Sequence, residues 1–89
     1  MFAKSERMEA AMWYVYFLEL SNNDIYVGST NDLKRRKTSH DKGEVISTQP
    51  FRPIKLKSYI AVETEMRARE LEKYFKSGSG KAVAKKRFL

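Results

Sequence analysis

Residues 13–28 read WYVYFLELSNNDIYVG, and the fold turns on this stretch. Trp13 to Leu20 is rich in aromatic and β-branched side chains and runs into Ser21-Asn22-Asn23-Asp24, the pattern of a buried strand ending in a tight turn. Asp24 to Gly28 has the same character, so the two segments predict an antiparallel hairpin. A two-residue period puts Tyr14 and Tyr16 on one face and Val15 and Phe17 on the other. Such tyrosines also serve as ordinary core aromatics with their hydroxyls at the edge, so alone they decide nothing about chemistry.

Working outward, Ser29-Thr30-Asn31-Asp32 gathers residue types that cap helices, and LKRRKTSHDK follows before a stop at Gly43. The helix so predicted has Leu33 as its one large apolar residue. Helical spacing places Leu33, Arg36 and His40 on a single face. A helix must turn some face to the sheet, and here that face carries an arginine and the sole histidine where a structural helix would carry leucine. This marks a polar site.

Residues 44–53 read as a loop closed by Pro50 and Pro53, and Ile54 to Val62 alternates as a third strand with one buried face. Thr64 caps a helix over Glu65 to Lys76, with Lys73 and Lys76 near its end and an apolar stripe of Ala68, Leu71, Tyr74 and Phe75. Ser77-Gly78-Ser79-Gly80 is expected to end it through a left-handed glycine, and Lys81 to Leu89 to form a last short basic helix pinned by Val83, Phe88 and Leu89. The expected order is β-β-α-β-α-α, an α+β fold with a small three-stranded antiparallel or mixed sheet flanked by helices. Residues 1–11 (MFAKSERMEAA) lack a lasting period and read as a flexible N-terminal extension, which leaves residues 12–89 as one domain.

Composition bounds the partners. The 89 residues hold 18 Lys+Arg against 11 Asp+Glu, a net charge of +7, with 42% hydrophobic and 12% aromatic content. That is apolar enough for a core and basic enough to want an anion, nucleic acid first. The charge falls in two basic blocks, residues 34–57 and 73–89, on either side of a segment bearing Glu63, Glu65, Glu70 and Glu72. Absence of cysteine excludes disulfide scaffolds, thiolate zinc sites and thiol catalysis, and a single histidine excludes multi-histidine metal sites. No apolar run approaches a membrane span and no signal-peptide pattern opens the chain, so the expectation is a cytoplasmic protein without a membrane partner, most simply a monomer.

Tyr14-Val15-Tyr16, then Tyr26-Val27-Gly28, Ser29-Thr30-Asn31-Asp32-Leu33 and Arg36 together resemble the GIY-YIG nuclease domain. Glu72, within Ala68-Arg69-Glu70-Leu71-Glu72-Lys73-Tyr74-Phe75-Lys76, is similar to that family's metal-binding glutamate. The likeness covers about residues 12–89 and is narrowest to short stand-alone members related to the excinuclease C-subunit nuclease domain. It implies a set of roles. Tyr16 and Tyr26 would line the site, one of them deprotonating or orienting the attacking water. Gly28 would mark where the backbone passes close, and Arg36 would bind the scissile phosphate. His40 falls where many members carry a histidine and is an alternative base or proton relay. Glu72 would hold one divalent cation, Mg²⁺ or Mn²⁺. Tyr14 stands where the first motif has glycine, and with Gly28, Arg35, Lys37, Lys73 and Lys76 it would contact substrate.

The implied activity is metal-dependent hydrolysis of phosphodiester bonds in DNA, in repair or recombination. Its rival is a catalytically inactive nucleic-acid-binding module with the same fold, and a weaker one is an RNA-associated structural protein. The chemistry is coherent. A guanidinium offers a forked donor that never loses its charge, so it suits a phosphoryl oxygen better than lysine does. Mg²⁺ keeps several waters, so one carboxylate plus substrate oxygens is enough to place it. A phenol with an ordinary pKa near ~10 needs help to act as a base at neutral pH.

Overall fold

In the computed structural model, which describes residues 12–89, pairing rather than turn chemistry sets the ends of the hairpin. Strand β1 is Trp13–Glu19 and β2 is Ile25–Thr30. The backbone reverses where the Leu20 N–H donates to the Asp24 carbonyl at 2.8 Å. Asn23 takes the left-handed conformation there (φ 70°), which asparagine tolerates better than most residues. Strand β2 runs two residues past Gly28, so Ser29 and Thr30 belong to the sheet and only Asp32 caps the following helix, accepting from the Arg35 N–H at 3.0 Å. The expected extension over residues 1–11 lies outside the described residues.

Strand β3, Lys55–Val62, pairs with the other side of β1. The sheet order is β2-β1-β3 and both pairings are antiparallel, so the mixed alternative does not arise. One face of the sheet is structural. Val15, Phe17 and Val27 pack against Ala68 and Phe75 of helix α2 (Glu65–Lys76) and Ala84 of helix α3 (Gly78–Arg87). The Phe17 ring lies 5.2 Å from that of Phe75 and 5.7 Å from that of Phe88, close enough for favourable aromatic packing. The other face carries Tyr16, Leu18, Leu20 and Ile54, with Leu33 of helix α1 (Leu33–Asp41) packed against them. The alternation in WYVYFLEL thus sends Val15 and Phe17 to the core and Tyr16 to the α1 side.

Four local expectations need correction. Residues 44–53 contain a short 3₁₀ turn, Gln49–Phe51. Tyr74 is 43% exposed, so it stands outside the buried stripe of α2, although Thr64 caps that helix as its sequence implies. The glycines after α2 do not end it by a left-handed residue. Ser77 breaks the helix in extended conformation, and its hydroxyl accepts from the Gly80 N–H at 3.1 Å to start α3. Gly80 is needed for a different reason: a Cβ there would run into the Tyr74 carbonyl, so its absence lets α3 pack on the end of α2. Helix α3 begins three residues before Lys81, and it is Val83 and Phe88 that join the core while Leu89 is exposed.

Candidate active site

Tyr16 stands on β1 directly opposite Gly28 of β2. A Cβ at Gly28 would overlap the Tyr16 ring and hydroxyl, so the missing side chain is the slot in which the phenol lies. Tyr26 is on the same face, its ring 6.3 Å from Tyr16 and 5.3 Å from His40. Gly28→Ala is therefore expected to displace Tyr16 and to cost about 1–3 kcal/mol by overpacking. Thermal unfolding reads this as a fall of roughly 4–8 °C per kcal/mol in a domain of this size. An unchanged Tm would show that the slot is not needed.

Helix α1 delivers His40 into the protein at 0% exposure. Its Nε2 is 3.0 Å from the Tyr16 hydroxyl and its Nδ1 is 2.7 Å from the Thr48 hydroxyl. The Thr48 hydroxyl donates on to the Val45 carbonyl at 3.5 Å. A carbonyl only accepts, so this last link gives the chain a direction. Thr48 accepts from Nδ1–H, and Nε2 is left to accept from Tyr16. Burial, and then the positive charge of Arg36, lower the His40 pKa to about 4, so the ring is neutral at physiological pH. The Tyr16 pKa is raised by burial, against the opposing pull of the hydrogen bond from Arg36. That bond is long: Arg36 Nε donates to the Tyr16 hydroxyl at 3.4 Å.

Glu72 approaches from α2. The Ser29 hydroxyl donates to its Oε1 at 2.6 Å, and Lys76 Nζ lies 2.8 Å from its Oε2. Lys76 also sits 5.7 Å from the centre of the Tyr26 ring, which ties this pair to the tyrosine face around the edge strand β2. Burial pushes the Glu72 pKa up, but the bonds from Lys76 and Ser29 outweigh it and the net shift is downward. The carboxylate is ionised at neutral pH with its side chain 23% exposed. No group of three or more metal-ligating side chains occurs among the described residues. A lone ionised carboxylate suits a hard cation that keeps most of its waters, and Glu72 would be the residue to hold one such as Mg²⁺ or Mn²⁺.

The fold thus gathers Tyr16, Tyr26, Gly28, Arg36 and His40, and brings Glu72 and Lys76 beside them. Tyr14 lies further along the same face, edge-on to Tyr59 at 5.8 Å. Arg35 is paired with Asp32 at 3.4 Å at the start of α1 and lines a hollow shared with Arg36. Lys37 is tied to Asp41 at 2.9 Å, and Lys73 borders a groove on the outer side of α2 with Glu65, Met66 and Glu70. Neither Lys37 nor Lys73 joins the cluster. Sequence reasoning missed two contacts. Ser29 looked like a cap and Thr48 like a loop residue, and only long-range packing puts them on Glu72 and His40.

Comparison with known proteins agrees with this geometry. The model of the GIY-YIG catalytic domain matches residues 12–87. A UPF0213 protein of Bacillus velezensis is 34% identical over 70 residues, spanning 78% of this chain and 71% of that protein. A UPF0213 protein of Streptococcus agalactiae is likewise 34% identical over 70 residues, spanning 78% of this chain and 80% of its own length. The solution NMR structure of a UPF0213 protein from Bacillus halodurans has 27% identity and a TM-score of 0.56, covering 86% of each chain, so it shares the α+β arrangement. No helix among the described residues is long and apolar enough to cross a membrane. With its two tyrosine motifs meeting on adjacent strands and the family match spanning nearly the whole chain, the protein belongs to the GIY-YIG catalytic domain family.

Proposed function

We infer that this chain is a divalent-metal-dependent endonuclease that hydrolyses phosphodiester bonds in DNA. The observation that carries the reading is the linked set Arg36–Tyr16–His40, in which one phenol accepts from a guanidinium and donates to a buried neutral imidazole. Such a set holds an arginine in a fixed pose rather than leaving it to solvent. Arg36 spends Nε on Tyr16, so its terminal nitrogens remain for a phosphoryl oxygen.

The difference in burial supports different work for the two tyrosines. Tyr16 is 2% exposed and His40 is sealed, so these two position Arg36 and do not meet substrate. Tyr26 is only part-buried beside them, and its hydroxyl would orient the attacking water. Glu72 would hold a divalent cation, which when bound would supply Lewis acidity to stabilise charge on the leaving oxygen. Ser29 keeps the Glu72 carboxylate turned toward the edge of β2, and the half-exposed Lys76 ammonium pairs with its other oxygen. Arg35 and Lys76, both outside the buried set, bind the strand.

One observation favours the rival, a binding module without cleavage: both oxygens of Glu72 already have partners. Incubation of plain duplex and branched DNA with Mg²⁺ or Mn²⁺ separates the two. The nuclease reading expects cutting that EDTA stops and that Glu72→Gln lowers on the order of 10²-fold, the usual loss of a charge-stabilising group. DNA binding with no cutting in either metal would establish the module instead.

A further inference from the structure

Beside Arg36 lies a hollow of about 240 Å³ between α1, the end of β2 and α2. Arg35, Arg36 and Arg69 line it with Ser29, Ser39 and Trp13, and among the described residues no acidic side chain does. Arg35 and Arg69 are paired outward along their own helices, with Asp32 at 3.4 Å and Glu65 at 2.6 Å, while Arg36 has no carboxylate partner among the described residues. Like charges brought together from two helices repel one another unless an anion sits between them. The volume is below that of a pocket for a whole drug-sized ligand, which runs roughly 300–1,000 Å³. It suits a phosphate with part of its sugar.

We propose that this hollow is a subsite for an internal phosphodiester next to the scissile one, gripped by Arg69 and Arg35. It rests on the reading of the chain as a nuclease acting on DNA. Arg36 lines both places, so a strand held at the hollow has its neighbouring phosphate directed toward Arg36 and Glu72. Arg69 is the new element, a charge on α2 that in the fold is paired to Glu65 along its own helix. Forked guanidiniums match phosphate oxygens in a way that lysine does not.

Trp13 is the sole tryptophan of the chain and lines the hollow, which makes it a local reporter. The test titrates a short DNA oligonucleotide into the protein in EDTA and follows Trp13 emission across a series of salt concentrations. No cutting is needed, so failure here and failure of the nuclease reading are told apart. Arg69→Gln and Arg35→Gln are each expected to weaken binding about five- to tenfold and to lower the salt slope by about one ion. Arg69→Lys should recover the slope and only part of the affinity. Oligonucleotides with and without a 5′-phosphate should bind alike; strong preference for the 5′-phosphate overturns the internal assignment. Wild-type affinity and slope in Arg69→Gln, or an equal loss from Lys86→Gln on α3, overturns the subsite itself.

Discussion

Arg36→Ala is expected to slow DNA cleavage about 10³-fold at saturating DNA and metal, within the range by which an arginine supports phosphoryl transfer. The size follows from where the guanidinium is held. Leu33 packs one turn earlier on the same helix face, and the Tyr16 hydroxyl holds Nε at 3.4 Å, so Arg36 is fixed before substrate arrives. Preorganised charge of this kind acts on the transition state without reorganising at the moment of reaction. Arg36→Lys keeps the charge and loses both the fork and the link to Tyr16, so it should recover only a small part of the rate. Alanine is the best helix former, so α1 should persist, and a thermal melt checks this directly. Cleavage by a folded Arg36→Ala protein within tenfold of the parent would remove Arg36 from the chemistry.

The parts of this site that were legible in the chain are those whose signals are local. The two-residue alternation in WYVYFLEL assigned Tyr16 and Phe17 to opposite faces, and Asp32 and Thr64 announced the helices they cap. Arg36 and His40, sharing a helix face with Leu33, signalled a site because burying such polar groups is costly without partners. Those partners were illegible. Thr48 lies eight residues from His40 across a loop, and Ser29 meets Glu72 across 43 residues, so no spacing rule reaches either contact. Glycine misled in one place and informed in another. Ser77-Gly78-Ser79-Gly80 has the composition of a helix stop, yet Gly80 serves the close approach of α3 to the Tyr74 carbonyl. Gly28 matters through an absent side chain, which is visible only once Tyr16 lies across it.

Acid should undo the same device from within. An unfolded histidine titrates near 6.5, whereas buried His40 titrates at about 4. Between these values the unfolded chain holds one more proton than the folded one. The His40 contribution to stability is therefore full above about pH 6.5 and is lost as the pH falls toward 4, at about 1.4 kcal/mol per unit and about 3 kcal/mol in all. Burial is the main cause and the Arg36 charge the second, so a protonated ring would be a buried cation beside another cation. It would also have no lone pair on Nε2 to receive the Tyr16 proton, which breaks the chain from Arg36 to Thr48 at its centre. Urea unfolding at pH 7, 6 and 5 measures the slope. His40→Gln, which keeps a donor and an acceptor but does not titrate, should be less stable at pH 7 and nearly flat over the same range. A wild-type midpoint that does not move between pH 7 and 5 would mean that His40 is not sealed as a neutral acceptor, and that Tyr16 finds its partner elsewhere.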